Sequence, residues 1–314
     1  MHDSTERLFL TPGPAQMTAQ SVGELATSFG RGDEVFLRQA EVVKKFLLKK
    51  TGQKYIISAQ GSGSLANQIM VENFLFGRVL VIDTGFYSRR LFAMASRGEY
   101  VTEANFAPPD SDLIGKFDWV LATPVETGKG YLIRISALKA IAENLGAKLA
   151  LDGVASVGLE AGHELADVVG FSSCKGLFGL TGGCFVASKE PPKNLSSSFY
   201  MNYETHERKS VTGPYSQLQS IFGTISGHPD MVGQVQENKQ ILLTTFSDVL
   251  IYGMGEQSLI STAFRGHLVA DIPLVRYEPR DADAETTVVS ALGYLQSRGS
   301  SKNPYSLLKL KEPT

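Results

Sequence analysis

Two residues in one stretch of this chain could do chemistry together: an acid, Asp152, and a lysine, Lys175. The stretch 149–187 reads LALDGVASVGLEAGHELADVVGFSSCKGLFGLTGGCFVA. A strand-like apolar run ends at Asp152, and a second, Val168 to Phe171, leads through small polar residues to Lys175. At the ends of neighbouring strands, a carboxylate and an amine withdrawn from water would face the same space. That pair suits pyridoxal phosphate, which needs a lysine amine to hold its aldehyde as a Schiff base and an acid to keep its ring nitrogen protonated. Taken singly, each residue has a plainer explanation, because an acid at a strand end commonly caps a helix or turn and a lysine is usually solvated.

The elements that must position this pair alternate along the chain. Strands are predicted over 55–58, 79–83, 119–122, 148–152, 168–172 and 183–187, with helices over 64–75, 87–96 and 136–145 between several of them and another over 34–50 before the first. Strands separated by helices of this length predict an α/β fold with a mostly parallel sheet covered on both faces. Gly146, just past a helix, stands where a left-handed residue closes the last turn. Beyond about residue 188 the pattern changes. Helices are predicted near 214–222 and 231–246, short strands near 259–264 and 274–277, and a last helix near 284–298. The polar tail, 299–314, is expected to be loosely held. The expected division is a large domain over 1–230, a small one over 231–300, and the tail from 301.

Other segments fall at the same strand ends. Gln60-Gly61-Ser62-Gly63-Ser64 lies between a strand and a helix, where free N–H groups and the helix dipole favour an anion and glycines allow close approach to a phosphate. No lysine follows as a Walker motif requires, and no third glycine as a dinucleotide fingerprint requires. Tyr87, in DTGFYSRR, offers a platform for an aromatic ring. Thr127, in ETG, offers a hydroxyl. Thr11-Pro12-Gly13-Pro14 is a rigid turn. Each alone reads most simply as a cap or loop turn, but five segments, those of Ser62, Tyr87, Thr127, Asp152 and Lys175, map to the strand ends where α/β sheets bind ligands.

Taken in order, the motifs LFLTPGP (8–14), QGSGS (60–64), TGFYSRR (84–90), VETGKG (125–130), LDGVASVG (151–158) and FSSCKGL (171–177) resemble the class V, fold-type I pyridoxal phosphate aminotransferases. The likeness is strongest to the 2-aminoethylphosphonate–pyruvate and alanine/serine–glyoxylate transaminases, and it spans about two thirds of the chain. It implies a seven-stranded, mostly parallel sheet and a smaller, shortened C-terminal α+β domain. It also implies Lys175 as the Schiff-base lysine, Asp152 as partner of the ring nitrogen, and Ser62, Gly63 and Ser64 as the phosphate cup. Tyr87 would stack on the ring, Val154 would pack on its other face, and Thr127 would bond its oxygen. Thr212, in SVTGPYS, would reach the phosphate held by the other subunit of a homodimer with shared sites. The chain departs from the pattern in having Gly128 and Lys129 where the family has hydroxyl residues. The family's late Arg-Ile-Gly motif, whose arginine holds the substrate acid, has no clear counterpart; Arg31, Arg265 and Arg276 are the candidates.

Composition narrows the field in the same direction. At 314 residues, with 43% hydrophobic and 20% charged residues, the chain can bury a large core. A net charge of −2 without a basic block gives no support to nucleic acid or membrane surfaces as partners. Two cysteines, Cys174 and Cys184, in apolar or glycine-rich surroundings read as reduced core thiols of a cytoplasmic protein, not as a disulfide or a metal site. The expected activity is transfer of an amino group from 2-aminoethylphosphonate, alanine or serine to a keto acid such as pyruvate or glyoxylate. The competing readings are a lyase, racemase or decarboxylase using the same cofactor, or a non-catalytic binding protein on the same fold.

Overall fold

The computed structural model describes residues 7–26, 30, 32–280, 283, 285–295 and 303–311. A short strand, β1 (Leu8–Phe9), and two helices, α1 (Ala19–Gly23) and α2 (Glu34–Thr51), precede the main sheet. The chain then runs through β2 (Tyr55–Gln60), α3 (Gly63–Phe74), β3 (Gly77–Ile82), α4 (Phe86–Ala95), β4 (Val101–Ala107) and β5 (Trp119–Ala122). A small hairpin follows, β6 (Val125–Glu126) with β7 (Tyr131–Leu132), then α5 (Ile135–Asn144), β8 (Lys148–Asp152), β9 (Val168–Ser172) and β10 (Gly183–Ser188). Three helices come next: α6 (Tyr203–Glu207), α7 (Tyr215–Thr224) and α8 (His228–Thr245). The C-terminal part is built on short strands, β11 (Ser261–Arg265), β12 (Leu268–Val269), β13 (Leu274–Val275), β14 (Thr286–Ser290) and β15 (Lys309–Leu310).

Seven strands form the main sheet in the order β2-β10-β9-β8-β5-β3-β4. Only β10 runs against its neighbours, so the other strands all point their carboxyl ends the same way. Side chains alternate across the sheet. Leu80, Ile82 and Val120 join Val43 and Leu47 of α2 and Leu138 of α5 on one face. Val79, Val81, Trp119 and Leu121 join Ile69 and Met70 of α3 and Leu91 of α4 on the other. Each such side chain contributes roughly 1.5–3 kcal/mol by leaving water. This core makes the strand ends a rigid platform. Gly146 takes a φ of 66°, as its place after α5 predicts.

Three features differ from the sequence expectations. The edge strand β4 was not expected; its sequence VTEANFA is half polar because only one strand, β3, pairs with it. The helix expected near 284–298 is not found: Thr286–Ser290 forms β14, antiparallel to β11, while residues 284 and 296–298 lie outside the described residues. The β-branched run Thr-Thr-Val-Val favours a strand over a helix there. The tail is also held more firmly than its composition suggested. Tyr305 is fully buried and donates to the Ser290 carbonyl at 2.5 Å, Asn303 Nδ2 donates to Asn238 Oδ1 at 2.8 Å, and β15 pairs with β12. Tyr305 and Leu308, both buried in the C-terminal core, anchor the segment. Among the described residues, no helix is long and apolar enough to cross a membrane.

Candidate active site

A cavity of about 170 Å³ lies at the carboxyl ends of β2, β3, β5, β8 and β9. Gly63, Ser64 and Asn67 line it from α3, Tyr87 and Arg90 from α4, and Thr123, Val125 and Thr127 from the loop after β5. Asp152 enters from the end of β8, followed by Val154 and Ala155, and Lys175 from the loop after β9. Parallel strands in one sheet bring these segments together, since side chains at their carboxyl ends converge on a single crevice.

The Lys175 loop is fixed from several directions. Gly13, at a φ of 133°, passes so close that an added Cβ would lie 3.1 Å from the Lys175 side chain, so the N-terminal turn covers the lysine. The Ala15 N–H donates to the Cys174 carbonyl at 2.8 Å. Thr224 Oγ1 donates to the Leu177 carbonyl at 3.1 Å. His228, the first residue of α8, donates from Nε2 to the Gly176 carbonyl at 2.8 Å. Burial lowers the His228 pKa to about 4. The ring is therefore neutral, with its one proton on the nitrogen that makes this bond, while Nδ1 has no partner.

The acid and the amine sit in low-dielectric surroundings. Asp152 is buried, and desolvation raises its pKa. The Val154 N–H (3.0 Å to Oδ1), Lys175, an Asn67 side-chain hydrogen bond and Arg90 pull the other way. Desolvation lowers the pKa of Lys175, opposed by Asp152, Cys174 and Glu126. The Lys175 Nζ lies 5.9 Å from the centre of the Tyr87 ring and makes no hydrogen bond among the described residues. Burial thus favours the neutral amine, the form that can act as nucleophile or base.

The start of α3 lines one part of the cavity with Gly63 and Ser64. The N-cap Ser62 is extended and makes no capping bond with its side chain, so the first N–H groups keep their donors. Gly63 allows this end to approach β8's loop, because a Cβ there would lie 2.4 Å from Val154 Cγ2. Arg90 donates to Ser64 Oγ at 3.0 Å while its guanidinium lies 5.1 Å from the Tyr87 ring centre. A helix N-terminus beside an arginine favours a phosphate-like group.

Not all the expected residues lie in this wall. Ser62 is exposed beside it. Thr212 is exposed on the segment before α7. Arg265, at the end of β11, pairs its backbone with Thr286 and faces Asp283, and Arg276 is exposed just after β13; neither lines the cavity. Arg31 lies outside the described residues. Sequence reasoning missed Asn67, Arg90, Thr123 and Glu126. Helical spacing could have found two of them, since Asn67 follows Gly63 and Arg90 follows Tyr87 by one turn. Glu126 is fully buried and accepts the Tyr87 N–H at 2.9 Å and the Gly128 N–H at 3.0 Å, which fixes Tyr87 against the loop bearing Thr127. No local pattern marks that role.

No protein-family profile matches the chain, and no curated protein sequence matches it. Solved structures do. A subgroup IV aspartate aminotransferase from Thermus thermophilus is 16% identical with a TM-score of 0.76, the match covering 91% of this chain and 93% of that one. Alanine–glyoxylate aminotransferase from Nostoc sp. is 17% identical at TM-score 0.74, over 92% and 90% of the two chains. Pyridoxamine–pyruvate aminotransferase from Mesorhizobium loti is 16% identical at TM-score 0.74, over 90% and 86%. The fold is therefore that of the fold-type I aminotransferases, as the motif order predicted.

Proposed function

We propose that the protein is a pyridoxal phosphate-dependent aminotransferase, moving an amino group from a small amine or amino acid to a keto acid such as pyruvate or glyoxylate. The observation that carries this reading is Lys175, an amine withdrawn from water with no hydrogen-bond partner among the described residues, in one cavity with the buried acid Asp152. The alanine–glyoxylate and pyridoxamine–pyruvate enzymes of the same fold support small substrates of this kind.

The residues present fit the cofactor. Thr123 Oγ1 is buried in the cavity wall with no partner, a polar atom that a polar ligand would satisfy. The α3 N-terminus with Arg90 suits the phosphate. Asp152, a desolvated carboxyl in the cavity wall, suits a cationic ring nitrogen. When bound, pyridoxal phosphate supplies an electron-accepting ring that stabilises negative charge at the substrate α-carbon.

The chain's own residues then divide the work. Lys175 would hold the cofactor, and its neutral Nζ would take the proton from the substrate α-carbon. Asp152 would keep the proton on the ring nitrogen, with Asn67 holding the carboxylate in place. Ser62, Gly63, Ser64 and Arg90 would hold the phosphate. Tyr87 and Val154 would flank the ring, and Thr127 would bond its oxygen. We place Thr212 at the phosphate of a second subunit, in a cytoplasmic homodimer whose large domain spans 1–230 and small domain 231–300. The test is a panel of aminoethylphosphonate, alanine and serine against pyruvate and glyoxylate. Keto or aldehyde product formed only when a keto acid is present supports transamination; product formed without one contradicts it.

A further inference from the structure

We infer that His228 is a positioning residue for Lys175: from the first turn of α8 it clasps the Gly176 carbonyl, and so sets the place of the amine from the C-terminal side of the chain. This inference rests on the aminotransferase reading only for what the Lys175 amine does once it is held.

Gly176 follows Lys175 directly, and its carbonyl is held from two sides. His228 Nε2 donates to it at 2.8 Å. The loop after Asp152 presses on it as well: a Cβ on Gly158, whose φ is 91°, would clash with the Gly176 oxygen, and one on Gly176 would clash with the Val157 oxygen. The Val157 N–H in turn donates to the carbonyl of Gly153, the neighbour of Asp152, at 2.9 Å. The loops bearing the amine and the acid therefore pack backbone against backbone, and His228 holds the carbonyl at their contact.

The turn held in this way is strained. The Phe178 N–H donates to the Lys175 carbonyl at 3.0 Å, with Phe178 at a φ of 56°. A bulky side chain adopts that left-handed conformation only where its surroundings impose it. The Phe178 ring lies 5.3 Å from the His228 ring, and Phe46 of α2 lies 5.3 Å from it as well. An apolar ring would fill this slot without leaving Nδ1 buried and unpartnered, as it is in His228. What the imidazole adds is the donor to Gly176. Further along α8, Asn238 donates to the Ala291 and Tyr294 carbonyls, both at 2.8 Å, and Lys239 to the Ser261 carbonyl at 2.6 Å. The helix thus joins the C-terminal part to the carbonyl beside Lys175. The ionisable groups facing the pair are Lys50 toward His228, and Asp152, Cys174 and Glu126 toward Lys175. Released from its place, the amine would meet water and its pKa would return toward the ordinary lysine value.

Cyanate labelling of the cofactor-free protein tests the clasp without turnover, because cyanate carbamylates neutral amines only. The pH midpoint for labelling Lys175 is followed by mass spectrometry of its peptide, with the exposed Lys193 as reference. His228→Leu should raise the Lys175 midpoint by about one pH unit, which makes labelling at pH 7 roughly tenfold slower. His228→Gln, whose amide reaches the same carbonyl, should label within about twofold of wild type. A wild-type midpoint in folded His228→Leu, even with a lower urea midpoint, overturns the inference, as does a Gln variant that shifts as far as the Leu variant. Should His228→Leu fail to fold, His228→Asn takes its place with the same expectation, since its shorter amide cannot reach Gly176. Pyridoxal phosphate is then added to the wild type. Absence of Schiff-base absorbance would count against the aminotransferase reading and leave the clasp standing.

Discussion

Two lysines withdrawn from water show how the same residue serves two regions differently. Lys239, on α8 in the C-terminal part, is 5% exposed and donates to the Ser261 carbonyl at 2.6 Å, Thr262 Oγ1 at 2.7 Å and Gln257 Oε1 at 3.1 Å. Its three protons are matched by three acceptors. Lys175, at the sheet's carboxyl edge, has no such acceptor among the described residues and shares a cavity with Asp152. Desolvation lowers both pKa values, that of Lys239 to about 7. A satisfied buried lysine holds a structure together, whereas an unsatisfied one in a cavity is available for chemistry. The lowered pKa does not distinguish them; the hydrogen bonds do.

The sharpest break in this comparison comes from the same substitution at both positions. Lys175→Met should lower amino-transfer activity by about 10³-fold or more and leave the urea midpoint unchanged or higher, since no acceptor loses a donor. Lys239→Met should orphan three acceptors and lower stability by about 2 kcal/mol, while the folded fraction keeps its turnover within about threefold. Steady-state rates and equilibrium unfolding measured on both variants check this. A loss of stability at Lys175 equal to that at Lys239 would erase the distinction.

Asp152→Asn should cost about 10²–10³-fold in turnover, within the span of a lost proton-holding group, with stability retained because the amide removes a desolvated carboxyl. Rate and thermal midpoint measured together decide it, and near-normal turnover would reduce Asp152 to a structural cap.

Acid should act on two buried histidines, His163 within the sheet region and His228, which ties α8 to the Lys175 loop. His163 and His228 have folded pKa values lowered to about 4 from 6.5 by burial. The unfolded chain therefore binds more protons between pH 6.5 and 4, and stability falls as pH drops through that window. The loss is on the order of 3 kcal/mol for each ring once both states are protonated. His228→Gln should flatten part of this slope, seen as a smaller change in urea midpoint between pH 7 and 4.5. An unchanged slope would mean that His228 does not titrate on unfolding.

The smallest effect is expected at Thr212, outside the cavity. Thr212→Val should weaken cofactor affinity by about three- to tenfold, the net value of one ordinary hydrogen bond. Mixing Lys175→Met with Thr212→Val subunits should regenerate one site with both residues intact. A stable monomer that binds cofactor with native affinity would rule out sharing.

The two regions also differed in how far they could be read. The strands at 119–122, 148–152 and 168–172 were legible to the residue because each is a short apolar run bounded by turn residues, buried on both faces. Lys175, Asp152, Tyr87 and Thr127 were legible as a group because parallel strand ends converge. Asn67 and Arg90 lay within reach of a helical-spacing argument. Glu126 and His228 were not, because their roles come from contacts with segments distant in sequence: the Tyr87 N–H and the Gly176 carbonyl. The β14 strand was misread because its apolar spacing also fits a helix, and pairing with β11 decides between the two.

The most direct test of the account maps the covalent site. The protein is incubated with pyridoxal phosphate, reduced with borohydride, digested, and its peptides weighed by mass spectrometry. The account predicts one stoichiometric phosphopyridoxyl adduct on Lys175, none on Lys239, and loss of that adduct in Lys175→Met. An adduct at another lysine, or no stoichiometric adduct on Lys175, would contradict it.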